Sequence, residues 1–533
     1  MDIPKTPFTI LALAPLAELP DRPAAFKIVD VDRESLDAAV DALAPTLAIA
    51  VPQAFCPEGF LYFKPAAMTD FKPHRLAARV PYLASLAAAG EAVDEGLKTG
   101  LSTAQIAARI TAAAPNLPLD LNVADAAPVA ASAQQSAVDD LLAMVAAPGG
   151  GAGGGATGAG DARSWRKQID GLMSALLGCV YADEGFRRLE AAWQGVAALV
   201  CQGPVIPGGA VSLKIASVSR QGLAGTLETV AGAFSQVPPN LILLDMECDA
   251  TDPGIERLDA VLTCADTLMV PTAVWIGPRF FHLPDWRALG KLPYIATHLE
   301  NAAYAKWRKR RQAPGSEWVA ATLNRFLTRA PYGEDNPPRT ASFTETSPLW
   351  VSPVWALGVL AAKSVATIGW PSRLTDYRSL SLTNLAVAPV DDSRTAATEA
   401  LISEDRIAEL IESGIIPLAG GVGRDTAAIP HEATLAGGSL KFQLFFNRLM
   451  GFLFELKTAM DEETDRERIP AAVTAALAAF FRASGQEPPA DMEIGWAPGD
   501  TGAASALAIG LTPPSAVLPQ PGRIDFTLGW TVP

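Results

Sequence analysis

A run of glycine and alanine between Pro148 and Gly160 constrains the fold of this chain more than any other stretch. Side chains this small cannot form a hydrophobic core, so the run is typical of a flexible linker. The 533 residues are also too many for one ordinary core, and roughly two or three domains are expected. The run therefore predicts a boundary between an N-terminal part and a larger C-terminal part.

Composition and charge narrow the functional classes. Hydrophobic residues make up 49% of the chain and charged residues 19%, as in a globular protein. The formal net charge of −15 argues against a nucleic-acid partner, because neutralising phosphates requires a basic surface. The first apolar run has no basic segment before it and is broken at Pro15, and no stretch has the roughly 18 apolar residues of a membrane span. We therefore expect a cytoplasmic protein with no membrane insertion.

Residues with catalytic or metal-binding chemistry are scattered along the chain. The five cysteines are widely spaced and odd in number, which fits neither a zinc framework nor a disulfide scaffold. The four histidines lack paired cysteine or carboxylate spacing, and no Gly-Lys-Ser/Thr of a phosphate-binding loop follows the glycine run. We expect His282 to be packed or to cap a turn. We expect no cofactor and no enzymatic activity, with an uncharacterised α/β enzyme as one alternative.

Hydrophobic periodicity predicts a mixed α/β pattern of alternating strands and helices. In the N-terminal part, strands are predicted at residues 8–14, 25–30, 47–51 and 61–63, and helices around 36–43, 74–90 and 103–113. In the C-terminal part, strands are predicted at residues 211–216, 241–245, 261–264, 270–276 and 523–530, and helices around 165–195, 349–365, 403–414 and 442–460. Helical spacing predicts one further amphipathic helix, through Trp318, Leu323, Phe326 and Leu327.

Several short motifs of the C-terminal part follow the order found in a known family. Tyr304–Arg308 reads YAKWR, residues 323–333 read LNRFLTRAPYG, and residues 349–356 contain LW and VWA. Upstream, Phe186–Gly195 reads FRRLEAAWQG. Together they resemble the large contractile-sheath subunit of type VI secretion systems (TssC/VipB-like), and the resemblance extends from about Trp165 to Trp530.

The N-terminal part resembles the small sheath subunit of the same system (TssB/VipA-like). Its motifs are Ala44–Leu47 with Val51 and Pro52, and Phe71–Leu76 with Val80–Leu83. The chain thus resembles a natural fusion, with a small-subunit-like domain at 1–130, a short helix and glycine-rich linker at 131–162, and a large-subunit-like domain at 163–533. In that family an extended arm precedes the first strand, whereas six residues precede Pro7 here. We therefore expect fewer strands to link neighbouring subunits.

The resemblance implies a multi-domain contractile-tail sheath fold, in which both α/β parts pack together and a terminal strand joins an intersubunit sheet. Such a subunit polymerises with itself into a helical tube around an Hcp-like inner tube protein and stands on a baseplate. The tube contracts to drive the inner tube outward, and a ClpV-like AAA+ ATPase dismantles it. The other alternative is a non-contractile scaffold or baseplate-like component of the same machinery.

Three candidate interaction sites follow. The first is the last strand, whose predicted intersubunit residues are Ile524, Phe526, Leu528 and Trp530. We expect deletion of Ile524–Pro533 to leave folded protomers that no longer polymerise.

The other two sites carry two readings each. The helix predicted at 136–145 is either a satellite helix or, as the resemblance implies, an ATPase-recognition helix with the contact residues Val138, Asp139, Leu141, Leu142 and Val145. The basic cluster is either a solvated helix face or a patch facing the inner tube or a neighbouring subunit, and it consists of Lys306, Arg308, Lys309, Arg310 and Arg311.

Overall fold

The computed structural model describes residues 6–17, 27–119, 121, 157–460, 465–497 and 504–531, and it confirms a mixed α/β fold. The strands are β1 (Phe8–Ala14), β2 (Val29–Val31), β3 (Leu47–Ala50), β4 (Phe60–Phe63), β5 (Val211–Ser217), β6 (Leu241–Cys248), β7 (Thr272–Ile276), β8 (Val319–Leu323), β9 (Phe326–Leu327), β10 (Trp350–Val351), β11 (Ala388–Pro389), β12 (Thr395–Ala396), β13 (Ile415–Pro417), β14 (Ala419–Gly420), β15 (Ala427–Ala428), β16 (Glu493–Trp496), β17 (Ala504–Leu511) and β18 (Ile524–Thr531). The helices are α1 (Leu36–Leu43), α2 (Pro73–Arg79), α3 (Pro81–Thr99), α4 (Thr103–Ala113), α5 (Thr157–Ala182), α6 (Glu184–Gln202), α7 (Leu223–Ala233), α8 (Asp252–Leu268), α9 (Ile295–Leu299), α10 (Ala305–Arg311), α11 (Pro353–Ile368), α12 (Glu404–Glu412), α13 (Leu440–Ala459) and α14 (Ile469–Ala483). Among these described helices, none combines the length and the apolar character that crossing a bilayer requires.

Contacts divide the chain into two compact units that interleave in sequence. The first unit comprises Met1–Ala39, Ala191–Ala330 and Leu349–Pro533, and the second comprises Val40–Glu190 and Pro331–Pro348. The division at 1–130, 131–162 and 163–533 concerns the origin of the segments and stays a prediction.

A seven-stranded sheet forms the centre of the first unit, with the order β13-β8-β7-β6-β1-β5-β2. All neighbours are parallel except β2, which pairs antiparallel with β5. Strand β1 lies between β5 and β6, with Phe8 opposite Val211 and Ile10 opposite Leu241. Its nearly uninterrupted apolar sequence suits a strand whose two faces are both covered. A strand that precedes the glycine run thus completes a sheet made mainly of strands that follow it.

The predicted helix through Trp318, Leu323, Phe326 and Leu327 is wrong. Residues Val319–Leu323 form β8, in which all five residues are buried, and β8 pairs in parallel with β7 and β13. A strand buried on both faces is apolar at every position and shows no period-two alternation. The spacing of its larger side chains therefore matched a helix by chance.

The strand predicted at residues 261–264 is also wrong, because these residues lie within α8. The helix begins at the Thr251 cap, whose hydroxyl accepts a hydrogen bond from the Gly254 amide at 3.2 Å. Its buried residues recur at helical spacing, and Leu258, Val261 and Leu262 join the core cluster around the sheet.

Most aromatic residues between β7 and β8 pack into that same core cluster, whereas Tyr294 is exposed. The Phe280 ring lies 4.6 Å from the Trp307 ring, centroid to centroid. The Tyr304 hydroxyl donates to the Phe280 carbonyl at 3.0 Å. His282 ends a short 3-10 turn in the left-handed conformation, which confirms the expected capping role.

Several helix ends agree with the expected capping residues. The Ser403 hydroxyl accepts a hydrogen bond from the Arg406 amide at the start of α12, and Gly414 just beyond its end has a φ of 75°. Only glycine adopts that angle without strain, so the helix stops there. Helix α5 begins at Thr157, so the last residues of the glycine run belong to a helix and not to a linker.

The second unit contains the β3–β4 hairpin, helices α2 to α5 and the segment 331–348. Its core is aromatic. Tyr181 lies 5.1 Å from Phe186 and 5.0 Å from Phe343, and 5.3 Å from Tyr332, measured between ring centroids. Phe186 and Tyr332, which belong to two separate sequence motifs, therefore meet through Tyr181.

The close contact between α6 and α11 gives a test of the packing in the first unit. A Cβ on Gly195 would overlap the Trp355 indole, which cannot swing away freely because its N–H donates to Asp245 Oδ2 at 2.8 Å. We expect Gly195→Ala to lower the free energy of unfolding by about 1–3 kcal/mol, as overpacking does.

The matched control is Gly225→Ala in α7, where a Cβ meets open space. Alanine is the better helix former, so this variant should be neutral or more stable by up to about 1 kcal/mol. Urea unfolding followed by circular dichroism measures both, and equal effects of the two variants would contradict the packing described.

Candidate assembly interface

The C-terminal sheet has the order β16-β17-β18, with antiparallel pairing throughout, and confirms the predicted last strand. The side chains of Leu528 and Trp530 are 5% and 4% exposed, and they pack into a core cluster with α13 and α14. Ile524 and Phe526 share this face and are partly buried against the same cluster. The four predicted intersubunit side chains therefore lie on one face as expected, but that face covers the chain's own core.

What β18 offers to a neighbour is its outer edge. Among the described residues no strand pairs with that edge. The Ala497 amide donates to the Ala506 carbonyl at 2.8 Å, so Ala506 turns its backbone groups toward β16. Its partner Gly529 in β18 must then turn its N–H and C=O away from β17, because these directions alternate along an antiparallel pair.

The same alternation assigns outward backbone groups to Asp525 and Thr527. Their side chains are exposed, whereas those of the even-numbered residues face the core. The Lys457 ammonium donates to the outward Gly529 carbonyl at 3.0 Å. A lysine beside an unpaired edge is a common means of limiting unwanted strand addition. The edge is therefore open along its middle and guarded by a cation near its end.

Arg523 fixes the position of β18 relative to β16. Its guanidinium lies 2.7 Å from Glu493 of β16, 3.1 Å from Asp525 of β18 and 3.4 Å from Asp491. It crosses over Gly510 of β17, where a Cβ would overlap both Arg523 and Asp525. Sequence reasoning missed this cluster, in which Gly510 of β17 lies opposite Asp525 and leaves room for the Arg523 side chain.

The basic cluster lies on α10, and the chain itself engages most of its cations. The Arg310 guanidinium pairs with both Asp259 oxygens at 2.6 and 2.5 Å, and Lys306 Nζ lies 2.5 Å from Asp252. Both carboxylates belong to α8.

The other cations of the cluster differ in their partners. Arg308 donates to the carbonyls of Leu299 and Asn301 at 2.5 and 2.8 Å. Arg311 donates to the Leu435 carbonyl at 2.9 Å. Lys309 is exposed and pairs with no acceptor within the described ranges. A role toward the inner tube or a neighbour stays a prediction, and Lys309 is the residue available for it without breaking an internal contact.

Charged groups also meet near the carboxyl ends of β6 and β8, where α/β enzymes commonly place their sites. Arg325 holds the Glu399 carboxylate with two hydrogen bonds of 2.8 and 2.7 Å. Asp245 of β6 accepts the Trp355 indole N–H. Burial raises the pKa of Asp245, and the Trp355 hydrogen bond opposes that rise. These groups are engaged with one another, and in the described part of the chain no group of three or more His, Cys, Asp or Glu could hold a metal ion.

The ATPase-recognition helix predicted at residues 136–145 stays a prediction. Its contact residues Val138, Asp139, Leu141, Leu142 and Val145 lie outside the described residues. The prediction for that helix stands as it was derived from the sequence.

Comparison with known proteins finds a similarity to tail sheath proteins. Residues 230–436 match the VipB family model, described as EvpB/VC_A0108, tail sheath N-terminal domain. The type VI secretion system sheath protein TssC1 of Pseudomonas aeruginosa is 24% identical over 292 residues, and the match covers 49% of this chain and 58% of that protein. Over these residues the chain is therefore similar to sheath proteins of type VI secretion systems.

Two solved structures align with this chain at low similarity. A chain of the anti-feeding prophage baseplate aligns with a TM-score of 0.36 and 12% identity, over 64% of this chain and 77% of its own length. A sheath tail protein from Listeria innocua aligns with a TM-score of 0.32 and 11% identity, over 59% of this chain and 60% of its own length. The family match ends at residue 436, before the C-terminal sheet begins.

The contacts of α10 generate a charge-reversal test. Arg310→Glu places two negative charges together at Asp259, so we expect the free energy of unfolding to fall by about 1 kcal/mol, since the pair is partly exposed. Lys309→Glu should change it by less than about 0.5 kcal/mol. Combining Arg310→Glu with Asp259→Arg should restore most of the loss. Equal losses for Arg310→Glu and Lys309→Glu would contradict the pairing.

The buried position of Asp245 generates a pH test. Because its folded pKa is raised above the ordinary 3.8, the protonated form favours folding, and that contribution is lost as pH rises from about 3.8 through the folded pKa. Compared with Asp245→Asn, the native chain should lose stability over that window and run parallel to the variant above it. Urea unfolding at a series of pH values measures the difference, and parallel curves throughout would contradict the burial.

Proposed function

We propose that this chain is a contractile type VI sheath subunit in which small-subunit-like and large-subunit-like parts are fused. It polymerises in the cytoplasm into a helical tube around an Hcp-like inner tube and contracts from a baseplate to drive that tube outward. A ClpV-like ATPase then dismantles the contracted sheath. The observation that carries the proposal is the open edge of β18 in a chain whose residues 230–436 match a tail sheath domain.

The position of β1 supports the fusion. This strand comes from the small-subunit-like segment, yet it pairs on one side with β5 and on the other with β6. Two separate chains would have to associate before such a sheet could form. Joining them through the part of the glycine run that precedes Thr157 fixes their ratio at one to one and raises their effective concentration.

The edge of β18 supports linear assembly. A strand added at one edge contacts a different surface of its neighbour, and such heterologous contacts that do not close a ring generate helical filaments. Main-chain hydrogen bonds supply the affinity and are independent of side-chain identity. The outward groups of Asp525 and Thr527 are the donors and acceptors for this addition, since the Gly529 carbonyl already accepts from Lys457.

Contraction draws its free energy from repacking between subunits. At about 25 cal/mol per Å² of apolar surface, a few hundred Å² of additional burial per subunit is of the order of several kcal/mol. Summed over the many subunits of a tube, this is enough for mechanical work without nucleotide hydrolysis in the stroke.

Deleting Ile524–Pro533 was expected to leave folded protomers, but one face of β18 is buried. That deletion removes Leu528 and Trp530 from the core cluster formed with α13 and α14, so it would not leave an intact protomer. A test of assembly must change the edge and keep the face.

Thr527→Pro meets that requirement. The Thr527 side chain is exposed and its N–H points away from β17, so proline there removes an edge donor without breaking a hydrogen bond of the sheet. We expect Thr527→Pro to stay folded and monodisperse while the native chain and the matched control Thr527→Ala form tubes. Negative-stain microscopy after gel filtration makes the measurement.

The outcomes of that experiment separate the alternatives. Long hollow tubes from the native chain and none from Thr527→Pro are the expected result. Tubes from both variants would remove β18 from the linkage. Monodisperse particles from the native chain would favour a baseplate-like scaffold over a sheath subunit.

A further inference from the structure

A small cavity opens between the start of β1, the residue before β6 and the middle of α13. Its volume is about 30 Å³, and its polar lining comes from Thr6, Thr9, Gln236, Asn240, Arg448 and Glu455. A single buried water needs only ~10–15 Å³. The cavity therefore has room for two oxygen atoms, which is the size of one carboxylate group.

Arg448 is the unusual member of this lining. Arg448 is only 7% exposed, and its Nε has no hydrogen-bond partner in the part of the chain that the structure describes. Throughout the described ranges no carboxylate lies within ion-pair distance of it. Burial lowers the pKa of Arg448 to about 10, so it remains charged at neutral pH.

Aromatic rings provide part of the stabilisation of this charge. The guanidinium carbon lies 5.8 Å from the Phe8 ring centroid, 5.7 Å from that of Trp370 and 5.6 Å from that of Phe480. A cation–π contact contributes about 0.5–2 kcal/mol, whereas a buried charge without a counter-ion costs several kcal/mol. The rings alone do not balance the charge, which leaves a place for an anion.

The neighbouring polar groups define what the cavity can accept. Asn240 makes one hydrogen bond at each side-chain heteroatom, since Oδ1 accepts from the Thr9 amide at 2.8 Å and Nδ2 donates to Asn447 Oδ1 at 3.1 Å. Glu455 lines the same cavity and has no ion-pair or hydrogen-bond partner among the residues that the structure describes, and burial raises the pKa of its carboxyl. In its charged form Glu455 opposes a bound anion and therefore weakens binding. Val237, which also lines the cavity, is 60% exposed and offers an apolar rim.

We propose that this cavity is a binding site for a single carboxylate-sized anion, with Arg448 as its counter-ion. The anion is either a small free carboxylate or the side chain of an Asp or Glu from a second copy of the chain, whose methylene stem would pass over Val237. This site does not depend on β18 or on the proposed function.

Thermal unfolding of the full chain with increasing sodium formate tests the site. A bulky sulfonate buffer anion, too large for the cavity, keeps the ionic strength constant. We expect a saturable rise of the unfolding midpoint by about 1–3 °C, because an anion that binds only the folded state stabilises it. Absence of a saturable response in the native chain would overturn the proposal.

Variants assign the response to the cavity. Arg448→Met should abolish it, whereas Arg424→Met, which removes an exposed arginine, should leave it unchanged. Glu455→Gln removes the opposing charge and should lower the formate concentration for half-maximal response several-fold, a result that does not require an Arg448 variant to fold. A response that survives in Arg448→Met, or that is insensitive to Glu455→Gln, would overturn the assignment.

The source of the carboxylate is distinguished by self-association. If a side chain of a second copy fills the cavity, formate should reduce light scattering by the native chain in proportion to its effect on the unfolding midpoint. If the ligand is a free anion, scattering should be unchanged over the same range of formate. Either result supports the anion site and identifies its occupant.

Discussion

Strand β1 is the constraint on which the first unit depends. It is paired in parallel on both sides, and its neighbours β5 and β6 are distant from it in sequence. Its backbone is therefore fully engaged, and both faces lie under helices or loops that bury apolar side chains. The start of β1 is also held by a residue distant in sequence, because the Asn240 side chain accepts a hydrogen bond from the Thr9 amide. Removing β1 would leave β5 and β6 with unpaired inner edges in the middle of a sheet.

Periodicity identified most elements of this fold, and its two errors have different causes. Strands such as β1, β5 and β6 were recognised because short apolar runs stand between clear turn signals. Strand β8 was misread because all five of its residues are buried, and burial on both faces removes the alternation that separates strand from helix. Residues 261–264 were assigned to a strand from a short apolar run, although the buried residues of α8 recur at helical spacing over Asp252–Leu268.

The candidate interface could be predicted only in part, for a related reason. Alternation along β18 correctly placed Ile524, Phe526, Leu528 and Trp530 on one face. It could not indicate that α13 and α14 cover this face, since that depends on residues brought together by tertiary packing. The basic cluster shows the same limit, because the partners of Lys306 and Arg310 lie on α8, about fifty residues earlier. Sequence patterns locate such groups, whereas only the fold reveals which of them are already engaged.

The central place of β1 also bears on how the chain is made. Ala14 ends β1, whereas β5 begins at Val211 and β6 at Leu241, so both of its partner strands are synthesised long after it. At about 5–20 residues per second, a ribosome needs roughly ten to forty seconds to cover that distance. Until β5 and β6 emerge, the nascent chain carries an apolar strand with both edges unpaired, which is the kind of segment that chaperones bind. Strand β1 is therefore synthesised well before its sheet can form, and it becomes buried only after β5 and β6 have been synthesised.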